Sequence, residues 1–261
     1  MALNAPHFEV GDPSRPSLLA VDDPPPWRVI NPLGASSFLL LCDHAGNRVP
    51  TALGTLGLGA DDLTRHIGWD IGAAGLSAML AEALDATLVQ QTYSRLVVDC
   101  NRGPTAADSV AVVSDGTRVP GNEGLSDADR AVRVAEIHEP YHAAIGSALA
   151  SRTDPVLVAI HSFTPAMNGV ARPWEIGVLH HLGNTDFAQA VLARLRETLD
   201  VPVGDNEPYA MDGIDYTVPR HAYAAGLRYV EIEVRQDLLA TPAGQARISH
   251  ILASVLQFCR S

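Results

Sequence analysis

Two apolar runs in this sequence end in histidine: "FLLLCDH" reaches His44 and "VLVAIH" reaches His161. Each reads as a buried strand that surfaces on an imidazole, and imidazole is the commonest protein ligand for metals such as zinc. One histidine after a strand is usually a packed residue. Two at equivalent places in one sheet leave the packed reading and the ligand reading evenly matched. Catalytic zinc sites generally use three protein ligands and keep one position open, so a carboxylate or a further histidine is needed. Asp70, in "GWDIGA" among small residues that allow close backbone approach, is the candidate; an ordinary helix cap or first-turn acid is its alternative. Asn47, three residues after His44, is a weaker ligand and fits better as a residue orienting His44 or a water. Asp43 is positioned in sequence to accept an imidazole N–H.

Carboxylates and arginines supply the rest. "YVEIEVRQD" sets Glu231 and Glu233 two apart, on one face of a strand. The alternation fits a solvated face, yet Glu233 lies where the strand gives way to a loop, suited to a general base in metal-dependent hydrolysis. "VVDCNR" ends another apolar run in Asp99, Asn101 and Arg102, with Arg95 just ahead. Arginines at strand ends grip carboxylates in bidentate fashion or form structural salt bridges, here to Asp99. Other histidines carry less. His138 and His142 are spaced i, i+4, but "HEPYH" is not the HExxH pattern, so packing or solvent contact is expected. His180 and His181 are adjacent and would face opposite sides of a strand. Glu207, in "NEPY", reads as a loop residue first and a pocket residue second. Ser94 and Ser162 lack a GxSxG elbow, and neither phosphate-binding glycine fingerprint occurs.

The elements that must hold these residues alternate. Residues 1–35, rich in Pro, Asp and Ser, read as an extended arm with no fold of its own, and 36–261 as one domain. Strands are expected in "SFLLLC", "ATLVQQTYS", "RLVVDCN", "PVLVAIH" and "RYVEIEVR". Helices are expected in residues 63–84, in residues 126–152 capped by Ser126 or Asp127, in 185–200 and in 241–260. This order predicts an α/β fold, a mixed, mostly parallel sheet with helices on both faces. In such sheets ligands bind beyond the carboxyl ends of the strands, where the residues above fall.

Bulk properties narrow the function. The 261 residues are 47% hydrophobic and 18% charged, as in globular enzymes. A net charge of −12 without any basic run argues against nucleic acid or an anionic membrane as partner. All 18 cationic side chains are arginine, which removes Schiff-base chemistry, the P-loop and any Ser–Lys dyad. Cys42, Cys100 and Cys259 form no CxxC pair and suggest no disulfide framework. No run approaches the roughly 18 apolar residues of a membrane span, and the N-terminus lacks a signal-peptide pattern. A soluble cytoplasmic protein is expected.

Taken in order, "DHAGNRVP", "GWDIGA", "YSRLVVDCNR", "IHSFTP", "EIGVLHH", "NEPYAMDGIDYTVPRHA" and "IEVRQDLL" resemble the N-formylglutamate amidohydrolase family, from about residue 36 to 257. That family is similar in fold to the zinc carboxypeptidases. "IHSFTP" resembles their last zinc histidine, "DCNR" their carboxylate-binding Asn and Arg, and "IEVRQD" the stretch bearing their catalytic glutamate. The resemblance implies one zinc ion held by His44 and His161, Asn101 and Arg102 as carboxylate binders assisted by Arg95, and Glu233 as base. His221 matches a family histidine, with substrate contact or proton donation as its expected role. The carboxypeptidases carry glutamate where this chain has Asn47, so Asp70 is taken as the remaining ligand. The implied reaction is hydrolysis of a small N-acyl amino acid, foremost N-formyl-L-glutamate to formate and L-glutamate. Another N-acyl amino acid, carboxypeptidase action, or a metal-binding protein without turnover are the alternatives.

Overall fold

The computed structural model describes residues 17–260, so the first sixteen residues of the expected arm lie outside it. In chain order come β1 (Trp27–Ile30), β2 (Phe38–Cys42), α1 (Ala60–Thr64), α2 (Ala73–Leu84) and β3 (Thr87–Gln91). A short hairpin, β4 (Val113–Ser114) and β5 (Thr117–Arg118), precedes α3 (Asp127–Arg133). A π-helical turn, Val134–His138, joins α3 to α4 (Glu139–Ala150). Then follow β6 (Val156–Phe163), the hairpin β7 (Ala166–Met167) and β8 (Val170–Ala171), β9 (Ile176–Leu179) and α5 (Asp186–Thr198). β10 (Val203–Asp205), β11 (Arg228–Arg235) and α6 (Pro242–Arg260) complete the chain.

Seven strands form one sheet in the order β1-β3-β2-β6-β11-β9-β10. The pairings are parallel except β1–β3 and β11–β9, which are antiparallel. The fold is therefore a single α/β domain around a mixed, mostly parallel sheet. Both faces are covered, as continuous hydrophobic strands require. Leu40, Val158, Ile160, Val230 and Ile232 pack under α2, α5 and α6. Leu39, Leu41, Leu157, Ala159 and Tyr229 face the opposite core, with Ile137, Tyr141 and Ile145 of the α3–α4 rod. On β11 the odd-numbered residues thus share the face of the α3–α4 rod, and Glu231 and Glu233 are among them.

Local chemistry explains where elements begin. Ser126 caps α3 in a reciprocal capping box with Asp129. Of the helix expected over residues 63–84, the first two residues end α1 and the rest forms only from Ala73. Gly72 takes a left-handed φ of +82° there, and a Cβ on it would lie 2.4 Å from Leu239 Cβ. The sequence "RLVVDCN" is not the strand its apolar run suggests. Val97 and Val98 are buried, but the backbone is met by side chains: Asn122 Nδ2 donates to Leu96 O and Arg133 Nη1 to Val97 O. Part of the arm joins the fold, since β1 is an edge strand of the sheet. Leu18 and Leu19 N–H groups donate to the Glu136 carboxylate in the π-turn.

Candidate metal and active site

The site gathers at the carboxyl ends of β2, β6 and β11. His44 lies two residues past β2, whereas His161 lies inside β6, which runs on to Phe163. Asp70 sits in the turn before α2; its N–H donates to His44 O at 2.9 Å, stitching that turn to the end of β2. It caps no helix: Gly72 occupies the N-cap position. Asp70 Oδ2 lies 2.9 Å from His161 Nδ1 and 3.4 Å from His44 Nδ1, and it accepts Ser162 N–H at 3.2 Å. The three ligand atoms lie within 4.8 Å of one another, and all three residues are buried.

The far side of each ring shows what the near side is for. His44 Nε2 donates to Asp99 Oδ1 at 2.7 Å, and His161 Nε2 stands 3.2 Å from Asp43 Oδ2. Asp43 is itself fixed by Tyr141 Oη and Thr217 Oγ1, which donate to its Oδ1 at 2.8 and 3.0 Å. A carboxylate that takes the Nε2 proton of a neutral ring leaves a lone pair on its Nδ1; Asp99 is bonded to His44 for this, and Asp43 stands beside His161 as its ion-pair partner. With both rings neutral and protonated on Nε2, two lone pairs converge with the Asp70 oxygen, an arrangement that a cation satisfies. The buried group His44–Asp70–His161 can hold a metal ion. Without a metal ion the same acids favour protonated rings, so a cation takes the place of those protons. Burial and Arg95 push His44 down, but Asp99 and Asp70 outweigh them and raise it. Burial also opposes a charged His161, yet Asp43 and Asp70 hold it well above the ordinary value. Burial would raise Asp70, but the two imidazoles hold it far below the usual carboxylate range.

A cavity of about 440 Å³ opens over this trio, lined further by Arg95, Asn101, Arg102, Tyr209, Glu231 and Glu233. Glu233 pairs in register with His161 across β11 and β6. Burial pushes its carboxyl up to about 7, the range a general base needs. Its Oε2 is buried with no hydrogen-bond partner among the described residues. Neither Glu233 nor Glu231 is on a solvated face; they are 6% and 2% exposed.

The remaining expected residues divide. Arg95 donates from Nε and Nη2 to Asp99 Oδ2 at 3.1 and 2.7 Å and stands 3.5 Å from Asp70 Oδ1, so it binds the acids of the site together. Asn101 is fully engaged: Oδ1 accepts Tyr216 and Thr217 N–H, and Nδ2 donates to Asp215. Arg102 donates to Asp108 Oδ2 and Asn101 O. Asp108 is half-exposed, which leaves Arg102 the cavity arginine with the less enclosed partner. Asn47 turns away and donates to Leu63 O, neither ligating nor orienting His44. Glu207 is exposed, and its backbone carbonyl rather than its side chain packs against Gly177.

His221 does not line the cavity. His142 Nε2 donates to Cys100 O, so His142 Nδ1 accepts the Nε2 proton of His221 at 3.0 Å. His138 Nε2 donates to Arg102 O at 3.0 Å. These histidines brace the 99–103 loop from behind. Burial keeps them neutral: it depresses His142 well below its ordinary value and pushes His221 down to about 4. Sequence reading missed the pairing of Asp43 with His161, the bond from His44 to Asp99, and the place of Glu231 in the cavity wall. The single signal available for Glu231 was its shared strand face with Glu233.

The sequence profile of the N-formylglutamate amidohydrolase family matches residues 36–240. The chain belongs to that family. Family membership supports hydrolysis of an amide bond. Among solved structures, a gene product of Agrobacterium tumefaciens is 37% identical, with a TM-score of 0.89 over 93% of this chain and 98% of that one. An N-formylglutamate amidohydrolase from Ralstonia eutropha is 19% identical, with a TM-score of 0.58 over 90% and 97% of the two chains, a likeness of fold. No curated protein matches the chain. Among the described residues, no helix of this amidohydrolase-family chain is long and apolar enough to cross a membrane.

Proposed function

We propose that this chain is a zinc-dependent amidohydrolase that cleaves the amide of a small N-acyl amino acid. The family name offers N-formyl-L-glutamate, split to formate and L-glutamate, as the reference substrate. The observation that carries the reading is the pair of imidazoles, each backed by its own carboxylate, converging with Asp70 beside the unpartnered Glu233. Zinc, when bound by His44, Asp70 and His161, supplies Lewis acidity for the acyl carbonyl and for water. Glu233 takes the proton of the attacking water and, now a carboxylic acid, returns it to the leaving nitrogen; His221, outside the cavity and bonded to His142, takes no part in that transfer. Arg102 grips a substrate carboxylate by exchanging its exposed partner Asp108 for the substrate. Asn101 holds the 215–217 loop in place, and Arg95 keeps Asp70 and Asp99 ionised beside the trio.

The test is formate release from N-formyl-L-glutamate and a panel of other N-formyl and N-acetyl amino acids, with zinc and with a chelator. Zinc-dependent release from at least one member is the expected result. Cleavage of blocked dipeptides with no deacylation would move the assignment to a carboxypeptidase. Zinc binding with no hydrolysis of any member would make the chain a binding protein.

A further inference from the structure

Glu231 lies deeper in the same cavity than the reacting groups. It precedes Glu233 by two residues on one face of β11, a step of roughly 6.5 Å along the strand. Its register neighbours are Ala159 on β6 and Leu179 on β9, and neither can bond a carboxyl. Tyr229, a further two residues down the same face, has spent its hydroxyl proton on Leu182 O. Glu231 Oε2 is buried with no partner among the described residues, although the side chain lines the cavity. A buried carboxyl without a partner is costly, and its presence in a cavity wall calls for a ligand donor.

Charge says which donor. Five carboxylates line the cavity (Asp70, Asp212, Asp215, Glu231 and Glu233) against the guanidiniums of Arg95 and Arg102. Burial pushes the unpartnered Glu231 up to about 8, so a cationic donor beside it both bonds it and holds it ionised. The arginines are also already engaged, by Asp99 and by Asp108 and Asp215. A substrate bearing two carboxylates finds no unengaged arginine in the cavity for the second one. One bearing an α-carboxylate and a distal ammonium fits both ends.

We propose that Glu231 is a specificity residue that accepts a hydrogen bond from a cationic amine on the side chain of the departing amino acid. This rests on the amidohydrolase reading above but not on glutamate as the amino acid released.

The test uses the zinc-loaded full chain with Nα-formyl-L-lysine, Nα-formyl-L-norleucine and N-formyl-L-glutamate. It adds calorimetric binding of free L-lysine and L-norleucine, which needs no turnover. Expected are a kcat/KM for the lysine derivative and an affinity for lysine each about tenfold or more above the norleucine counterparts, as for one charge-assisted hydrogen bond. E231Q should bring both ratios to within about threefold, the change expected when the charge is removed and the shape kept. Native ratios near one, preference for the glutamate derivative over the lysine derivative, or ratios preserved in E231Q overturn the proposal. If E231Q does not fold, the native ratios decide. Glu231-dependent lysine binding without hydrolysis of any substrate supports this proposal and refutes the amidohydrolase reading; hydrolysis led by the glutamate derivative does the reverse.

Discussion

His44 and His161 present the same nitrogen, Nδ1, to Asp70 because Asp99 and Asp43 hold their Nε2 atoms. Removing an acid behind a ligating imidazole loosens the ring without removing the ligand. Asp99→Asn should weaken zinc affinity about 10- to 100-fold, read by competition with a chelating dye. Unchanged affinity would mean that Asp99 serves Arg95 alone. Glu233→Gln should lower kcat by about 10²- to 10⁴-fold while zinc stays bound, measured by steady-state rates and metal analysis. A near-native rate would remove Glu233 as the base. His44, His161 and Glu233 were legible in the sequence as candidates because each sits near the end of an apolar run. Asp43 was legible as an acceptor but not its partner: it serves His161 on β6 and not its neighbour His44. Such a pairing depends on strand order, which residue spacing does not contain.

At the level of elements, the strands that bear the site were legible where continuous apolar residues meant burial on both faces. The run 95–101 misled for the same reason, since Val97 and Val98 are buried without pairing into the sheet. The Leu96 and Val97 carbonyls are satisfied by Asn122 and Arg133, 26 and 36 positions away. The segment 206–210 shows how an element outside the sheet shapes the cavity. Glu207 O packs so closely on Gly177 that a Cβ there would lie 2.0 Å from it. Gly177→Ala should push this segment outward, costing about 1–3 kcal/mol in urea unfolding. It should also raise KM, because Pro208 and Tyr209 line the cavity. Unaltered KM and stability would show that the segment yields freely. The brace of His142 and His221 makes a different prediction. Both rings are held neutral when folded and take up protons readily when unfolded, so their contribution is present above about pH 6.5 and is lost as pH falls toward 4. Stability measured by denaturant should drop across that window. His221→Gln should flatten the slope by up to about 1.4 kcal/mol per pH unit, the value of one proton. An identical slope in the variant would mean that His221 titrates normally in the folded chain.

For the whole molecule, the mixed sheet places four acids and two imidazoles from distant parts of the chain around one point, with a cavity above and a second cavity of about 310 Å³ adjoining it. Arg95 offsets part of this charge, and with both imidazoles neutral the rest calls for a further cation. A bound ion should therefore stabilise the fold as well as activate it, by about 4 kcal/mol at a thousandfold excess over its dissociation constant. The most direct measurement is the zinc content of the purified chain together with N-acyl amino acid hydrolysis before chelation, after chelation and after zinc is restored. One zinc per chain, loss of hydrolysis with the metal and recovery on its return are the expected results. Full hydrolysis by metal-free protein would contradict the zinc reading.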